Sequence, residues 1–443
     1  MLNADGCTFI RSMRKTIVVR NKNVLLLLGA QIVSVFGDKL SQMAFIALIS
    51  ILIPDSTQVV GILMAFALMP VLFVSPLSGV LVDHMNYKKT LILCDISRGL
   101  IIFITPFIAM LFIKYNGPVL PLLYGVAFIT AAISRFFIPA RLAFIPKIVE
   151  KSELQETNSF LTSAIMLSSL LGLAAGDIIV SIIGWKVSFI ADSGTFFISA
   201  ILITFIMIKL NNSALPSQSV KEHISQVWRE LLEGIALILK DLRVRYAVGS
   251  LCVLMGGAGA VFSIIVVVMK STFSEIPGAL GIMLATLGLG GLLGAFILQK
   301  IKNKITRRHT LQVCFILAGL LCSVFGLVFY FEEKWILLFL FIAVCCLGVL
   351  CGLCLSPIMI LCDTLLHEIL PQDTMGRVFG AKETLLAVSF IISNLFVSIT
   401  AEYIPDRRVL LLMLGIVLAL AGYIWATKGI PPDKRALELH LDE

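Results

Sequence analysis

Twelve apolar segments, each long enough to cross a lipid bilayer, restrict what this chain can fold into. A membrane-spanning helix needs about 20 predominantly apolar residues. Backbone groups in hydrocarbon must be hydrogen-bonded within their own segment, which favours helices, whereas a β-barrel would show short alternating segments. The sequence therefore predicts an all-α membrane protein with twelve transmembrane helices. The segments cover residues 23–53, 57–82, 89–113, 117–139, 157–183, 187–210, 244–271, 277–300, 309–331, 336–363, 377–401 and 407–428.

Lysine and arginine are concentrated on one side of these segments. Most of the 35 fall in the N-terminal arm, in the loops that follow even-numbered segments and in the tail. By the positive-inside rule, both termini are predicted to lie in the cytoplasm, with the chain crossing the cell (inner) membrane many times. Since this topology accounts for the net charge of +8, we expect no nucleic-acid partner. The opposite connections carry only Lys114, Lys186, Lys270, Lys334, Arg407 and Arg408.

Residues 211–243 interrupt the apolar segments and divide them into two sets of six. The interruption begins with polar residues and continues with apolar residues at helical spacing, including Val227, Trp228 and Leu231. This pattern predicts an amphipathic helix on the inner membrane surface. The predicted parts are an N-terminal arm (1–22), a first six-helix bundle (23–210), the linker (211–243), a second six-helix bundle (244–428) and a tail (429–443).

The two halves match each other at a nearly constant offset. Lys88-Lys89 correspond to Arg307-Arg308 at an offset of 219, and Gly37 corresponds to Gly257 at an offset of 220. IVEKSEL, from residue 148, matches ILPQDTM at an offset of 221. Parallel six-helix repeats indicate a secondary transporter with its binding site between the halves. We expect no cofactor and no metal site, because the C-x-x-C pair, at 351 and 354, lies inside an apolar segment without polar ligands.

The connection between segments 2 and 3, GVLVDHMNYKKT, resembles the loop 2–3 signature of the major facilitator superfamily. In this family the loop acts as a latch that holds the two halves together in one conformation and releases them in another. Asp83 is then expected to accept hydrogen bonds from a helix of the other half, and Gly79 to let another helix approach closely. The alternative is a simple cationic topology anchor. The matching residues are Gly79, Asp83, Asn86, Lys88 and Lys89, with His84 where Arg or Lys is usual.

Three further stretches resemble the branch of this superfamily that holds macrolide-efflux and enterobactin-export permeases. They are RFFIPARLAFIPKIVEKSELQETNS from 135, FIADSGTFFISAILI from 189 and LHEILPQDTMGRVFG from 366. The resemblance implies the major facilitator fold, two pseudo-symmetric six-helix bundles that rock in an alternating-access cycle. It does not identify the cargo, because one fold hosts many functions.

Ionisable residues inside the segments are the candidate transport sites, because buried charges in membranes are rare and mostly functional. Asp38 is a candidate for proton coupling or substrate binding. The alternatives are that it joins two helices or that it only hydrogen-bonds Ser41 and Gln42 on its own helix face. Asp95 and Arg98 are i, i+3 neighbours, which can pair and brace the latch.

Three other acids have competing interpretations. Glu383 is either the partner of the latch or an exposed acid at a helix N-terminus. Asp177 and Asp192 are expected near the outer boundary, where they are either solvated, the favoured interpretation, or functional.

The leading hypothesis is a monomeric secondary transporter, an antiporter that exports an amphipathic small molecule, such as a drug or siderophore, coupled to protons or another cation. A lysophospholipid-flipping permease is the alternative, although segment 7 lacks the cation that a phosphate head group would require. A non-transporting sensor or a membrane enzyme is the distant alternative. No H-E-x-x-H, G-x-S-x-G or Walker A stretch is present, so we expect no enzyme.

Overall fold

The computed structural model describes residues 21–207, 220–301, 306–330, 336–404 and 406–428, and these ranges are helical with short connections. Nearly all of the predicted N-terminal arm, the predicted tail and the first part of the linker lie outside them. The helices are α1 (Lys22–Leu52), α2 (Thr57–Phe73), α3 (Ser75–Asp83), α4 (Tyr87–Lys114), α5 (Val119–Phe144), α6 (Leu154–Thr204), α7 (Val220–Lys240), α8 (Leu242–Thr272), α9 (Ala279–Ile301), α10 (Arg307–Tyr330), α11 (Leu337–Ile369), α12 (Gln372–Thr400) and α13 (Arg407–Lys428).

The second predicted segment is a bent pair of helices rather than one continuous helix. The axes of α2 and α3 differ by 47°. The bend falls at Val74, immediately before a helix that carries Pro76 in its first turn. Proline lacks a backbone N–H and disfavours helical geometry in the residue before it, so the helix breaks here.

The longest helix, α6, contains two predicted segments. Its 51 residues would extend over about 76 Å at 1.5 Å per residue, more than twice the hydrocarbon thickness of about 30 Å. Gly184 interrupts it with φ 79° and ψ 162°, and lies between predicted segments 5 (157–183) and 6 (187–210). When α6 counts as two spans and α2 with α3 as one, the described chain has the twelve predicted spans, and the prediction is confirmed.

The first compact unit comprises residues up to Ile49 together with Phe73–Ile224. Its core contains apolar residues of α1, α4, α5 and α6, among them Leu27, Leu91, Phe144 and Ile203. Two glycines of α6 allow this helix to cross α1 closely. A Cβ added to Gly176 would lie 3.3 Å from the Leu40 Cα atom.

The second compact unit comprises Ser50–Leu72 and the residues from Ser225 onward. It therefore includes α2, which the sequence places in the first bundle. Glycines govern its helix crossings: Gly290 and Gly294 of α9 meet the backbone of α11, and Gly348 and Gly352 of α11 meet α9. Small residues at four-residue spacing permit this close packing.

The amphipathic helix α7 packs on the second unit. Gly234 faces the carbonyl of Arg377, and the Glu233 carboxylate lies 3.1 Å from the Arg377 guanidinium. Ile238 is buried in the core of this unit, whereas Leu232 and Leu239 on α7 are exposed. The predicted amphipathic helix is therefore present, and its inner-surface location stays a prediction.

Candidate functional site

Asp38 and Arg98 form an ion pair inside the first unit. The Arg98 Nη2 atom donates to the Asp38 Oδ1 atom, joining α4 to α1. The guanidinium also lies over the Phe196 ring, 4.1 Å from its centre. The Arg98 side chain is 7% exposed and the Asp38 side chain 40% exposed. Asp38 is therefore the accessible member of a pair whose cation is enclosed.

Asp95 does not pair with Arg98 as the sequence predicts. It is fully buried, and its Oδ2 atom accepts a 2.6 Å hydrogen bond from the Ser199 hydroxyl on α6. Its Oδ1 atom has no hydrogen-bond partner among the described residues. The predicted i, i+3 pair is wrong because the long Arg98 side chain reaches across to α1, leaving Asp95 to a hydroxyl group of another helix.

Asp192 is also fully buried, so the predicted solvation at the outer boundary is wrong. Its carboxylate accepts hydrogen bonds from the Ser41 hydroxyl on α1 and, at 3.1 Å, from the Thr195 hydroxyl. Asp177 is buried as well. The second half of α6 carries Asp192 into the packed interior, because Gly184 turns the chain back before this acid.

The predicted contacts of Ser41 and Gln42 with Asp38 are replaced by others. Ser41 donates to Asp192 instead, and the Gln42 side chain accepts a hydrogen bond from the Lys39 ammonium at 3.3 Å. Asp38 is held by Arg98. The partner of each acid depends on which neighbouring helix supplies a hydrogen-bond donor. Residue spacing along α1 does not reveal that helix.

Gly37 explains why these groups can meet. A Cβ atom at this position would clash with the side chains of Asp192 and Thr195. The absence of a side chain therefore lets α6 approach α1 at the level of the acids. Sequence reasoning left Asp192 between a solvated and a functional interpretation, and its burial beside Asp38 makes it a functional candidate. Its signal was a glycine beside Asp38 together with hydroxyl residues at 41 and 195.

We name Asp38, Asp95, Arg98 and Asp192 the ionic cluster. Of its three carboxyl groups, only that of Asp38 contacts the enclosed Arg98 guanidinium among the described residues, whereas Asp95 and Asp192 accept hydrogen bonds from hydroxyl groups. Burying a carboxylate away from water is costly unless it is paired or takes up a proton. The arrangement can therefore bind and release protons, or exchange the Arg98 contact between acids.

A second buried charge group lies in the second unit. Lys382 of α12 is 5% exposed, and its ammonium lies 2.9 Å from Asp363 and 3.2 Å from Glu383. The Lys382 ammonium also lies 4.5 Å from the centre of the Phe379 ring. Sequence reasoning singled out Glu383 and missed the lysine beside it. Glu383 is largely exposed and pairs with Lys382, and its role as latch partner stays a prediction.

The loop between α3 and α4 is organised by hydrogen bonds of Asn86 and Lys88. Asn86 caps α4 by accepting a 3.1 Å bond from the Lys89 backbone N–H. The Lys88 ammonium donates to the carbonyls of Thr204 and Ile206, at 2.7 and 2.8 Å, at the end of α6. A cation at a helix C-terminus satisfies carbonyls that lack helical partners. Lys88 therefore has a structural contact inside the first unit.

The other latch residues are placed as follows. Asp83 is the exposed last residue of α3, and His84 follows it as the helix C-cap. Apart from its own stretch of α3, no described atom lies within 4 Å of a Cβ built on Gly79. The close helix approach predicted at Gly79 is absent here, because this side of α3 is open. The latch itself stays a prediction.

Glu402 holds the start of α2 in the second unit. Its Oε1 atom accepts hydrogen bonds from the Ser56 hydroxyl at 2.9 Å, the Gln58 backbone N–H at 3.1 Å and the Thr57 hydroxyl at 3.3 Å. A carboxylate at a helix N-terminus satisfies free N–H groups and is favoured by the helix dipole. We name this contact the α2 clamp.

The profile of the Major Facilitator Superfamily matches residues 27–393. YfiS of Bacillus subtilis (strain 168), an uncharacterized MFS-type transporter, is 24% identical over 417 residues, covering 93% of this chain and 94% of YfiS. The proposed bacilysin exporter BacE of the same organism is 25% identical, covering 79% and 82%. The multidrug efflux pump Tap of Mycolicibacterium fortuitum is 23% identical, covering 72% and 74%.

Two solved structures share the fold. The nucleoside transporter NupG, crystallised as a mutant, aligns with a TM-score of 0.66 at 14% identity, covering 91% of this chain and 99% of NupG. A bacterial homologue of the iron transporter ferroportin, in its inward-facing state, aligns with a TM-score of 0.71 at 11% identity, covering 92% and 98%. These similarities concern the architecture alone.

Proposed function

Because the chain belongs to the Major Facilitator Superfamily of transporters, we propose that it is a proton-coupled exporter of an amphipathic small molecule that works by alternating access. The observation that carries the proposal is the ionic cluster: one enclosed guanidinium among three carboxyl groups inside the membrane-spanning part of the first unit. Intramembrane acids of this kind are the usual proton carriers of transporters.

The cluster suggests how proton binding changes the contacts of Arg98. A proton on the accessible Asp38 removes the charge that holds the guanidinium. Arg98 can then contact Asp95, three residues earlier on the same helix and carrying an unpartnered Oδ1 atom. Proton binding would thus exchange one interhelical ion pair for a contact within α4, freeing α1 from α4. A ligand shifts a conformational equilibrium only by such differential contacts.

The export direction is inferred from the names of relatives, and the amphipathic cargo is inferred from the side chains of the spans. BacE is named as an exporter and Tap as a multidrug efflux pump. The described spans are rich in Phe, Met and Leu, which suit apolar portions of a cargo. Lys382, the enclosed cation of the second unit, is paired with Asp363 and Glu383, so it is not free for a phosphate head group. This favours the drug or siderophore class over lysophospholipid.

Alternating access is supported by one contact of the structure and by one predicted contact. The α2 clamp holds α2 against the end of α12, in connections predicted to face outward. The predicted latch at Asp83 lies in a connection predicted to face the cytoplasm. We propose that the clamp closes the outer side in one state and the latch closes the inner side in the other.

Asp38→Asn tests the coupling. Proteoliposomes with an imposed pH gradient are screened with radiolabelled macrolides, catecholate siderophores and lysolipids. We expect gradient-driven uptake of at least one amphipathic compound, and loss of that uptake, by tenfold or more, in the variant, because the amide cannot carry the proton. Asp55→Asn, the same change at an exposed position of the α1–α2 loop, is expected to transport normally.

The outcomes separate the parts of the proposal. Unchanged gradient-driven uptake in a folded Asp38→Asn protein would exclude Asp38 as the proton carrier. Accumulation of a compound above its outside concentration without any imposed gradient would contradict proton coupling, and no uptake across the whole panel would contradict the amphipathic cargo.

A further inference from the structure

A partly open cavity lies inside the second unit, apart from the ionic cluster of the first. It has a volume of about 200 Å³ and is lined by α8, α9, α10, α11 and one leucine of α13. Its lining consists of aliphatic, aromatic, methionine, glycine and cysteine residues, with no charged, amide or hydroxyl side chain among them. Small side chains of the wall include Ala258, Ala318, Cys322 and Cys351.

The cavity exists because small side chains meet at one level of the bundle. Ala318 and Cys322 on α10 are one turn apart, and Ala258 and Cys351 contribute from α8 and α11. The surrounding helices are held at fixed distances by glycine contacts: a Cβ on Gly257 would lie 2.9 Å from a Leu418 methyl group. Helices already in contact cannot close further to fill the space, so their wall atoms lack packing partners.

We propose that this cavity is a binding site for a neutral hydrocarbon group, an aromatic ring or an alkyl chain. A buried water needs two to four polar partners, and the lining offers none, whereas dry apolar cavities of similar size bind small aromatic molecules. An ion would find no opposite charge in the lining. Ala258 is exposed, so the cavity is not sealed.

Two sources can supply such a group, and the experiment distinguishes them. One is a free apolar molecule, and the other is the acyl tail of a membrane lipid. The protein is placed in phosphatidylcholine nanodiscs and labelled with 3-trifluoromethyl-3-phenyldiazirine, a neutral photoreactive ring, and the labelled residues are mapped by mass spectrometry. We expect saturable labelling of the wall segments 318–325 and 348–355. Lipid-facing residues of the same helices are labelled without saturation.

Competition identifies the source. If naphthalene lowers wall labelling at least threefold, the site takes free aromatic molecules. If lysophosphatidylcholine alone does so, the site takes a lipid tail, and competition by both supports a site that accepts either. Wall labelling that neither compound reduces would overturn the proposal. No ion gradient is present, so the result is independent of the proposed transport function.

A filled cavity provides the matched control. Ala318→Phe places a ring in the space and is expected to abolish saturable labelling of residues 348–355 on α11. Leu317→Phe adds a ring on the same helix at a 43% exposed position and is expected to leave that labelling unchanged. Equal labelling in both folded variants would overturn the proposal. If Ala318→Phe fails to fold, saturation and competition in the unmodified protein decide the question.

Discussion

A single glycine makes the arrangement of the buried acids possible. Gly37 lies directly before Asp38, and its missing side chain leaves room for Asp192 and Thr195 of α6. Without that room, Ser41 could not reach Asp192 across the same helix pair. The chemistry of the ionic cluster thus depends on a residue that contributes no functional group.

Gly37→Ala tests this dependence. The added methyl group would overlap with two side chains, and overpacking of this kind costs about 1–3 kcal/mol. We expect a lower midpoint of thermal unfolding in detergent and weaker gradient-driven uptake, since Asp192 must move. Gly194→Ala is the control: no atom lies within 4 Å of its Cβ position, apart from its immediate surroundings on α6. Equal midpoints for the two variants would show that α1 and α6 tolerate a wider separation.

Breaks within helices decide which spans can lie side by side. Gly184 divides α6, and the α2–α3 bend divides the second predicted segment. Gly184 has φ 79° with an extended ψ of 162°, a region of backbone conformation that is essentially limited to glycine. The break reverses the chain, so that Asp177 and Asp192 both return to the packed interior of the first unit.

Gly184→Ala is therefore expected to destabilise the first unit. Forcing a residue with a Cβ into this conformation costs about 1–3 kcal/mol, although the position has no other atom within 4 Å of a built Cβ. The expected loss of stability therefore comes from backbone strain rather than from a steric clash. It is measured as a lower midpoint of thermal unfolding. Gly125→Ala, in the regular helix α5 with open space around it, should leave the midpoint equal or higher. A Gly184→Ala protein as stable as Gly125→Ala would contradict the assigned backbone strain.

One hydrogen-bonded contact joins residues that are far apart in the sequence. The α2 clamp joins residues 56–58 to Glu402, more than 340 positions away. It lies in connections predicted to face outward, whereas Asp83 lies in a connection predicted to face the cytoplasm. In the proposed cycle, removing the α2 clamp and weakening the predicted latch should shift the balance between the two states in opposite directions.

Spin labels at positions 55 and 403, both exposed, can measure this shift by pulsed electron paramagnetic resonance. Glu402→Ala removes the acceptor of three hydrogen bonds, so we expect more of the longer distances between the labels. Asp83→Asn weakens the predicted latch and should increase the shorter distances instead. Glu275→Ala, an exposed acid in the α8–α9 connection, should leave the distribution unchanged. If Glu402→Ala does not increase the fraction of longer distances, the proposed role of the α2 clamp is contradicted.

The sequence by itself determined the twelve spans, the amphipathic helix α7 and the family, because hydropathy and loop signatures are local properties of the chain. It also located Asp38 and Arg98 as candidates. It did not determine their contacts: Arg98 pairs with Asp38 rather than Asp95, and Asp192 is buried rather than solvated. Only the tertiary structure decided these contacts, because a buried charge takes its partner from whichever helix crosses nearby. In this molecule, glycines at the crossing points determine which helices pack closely together.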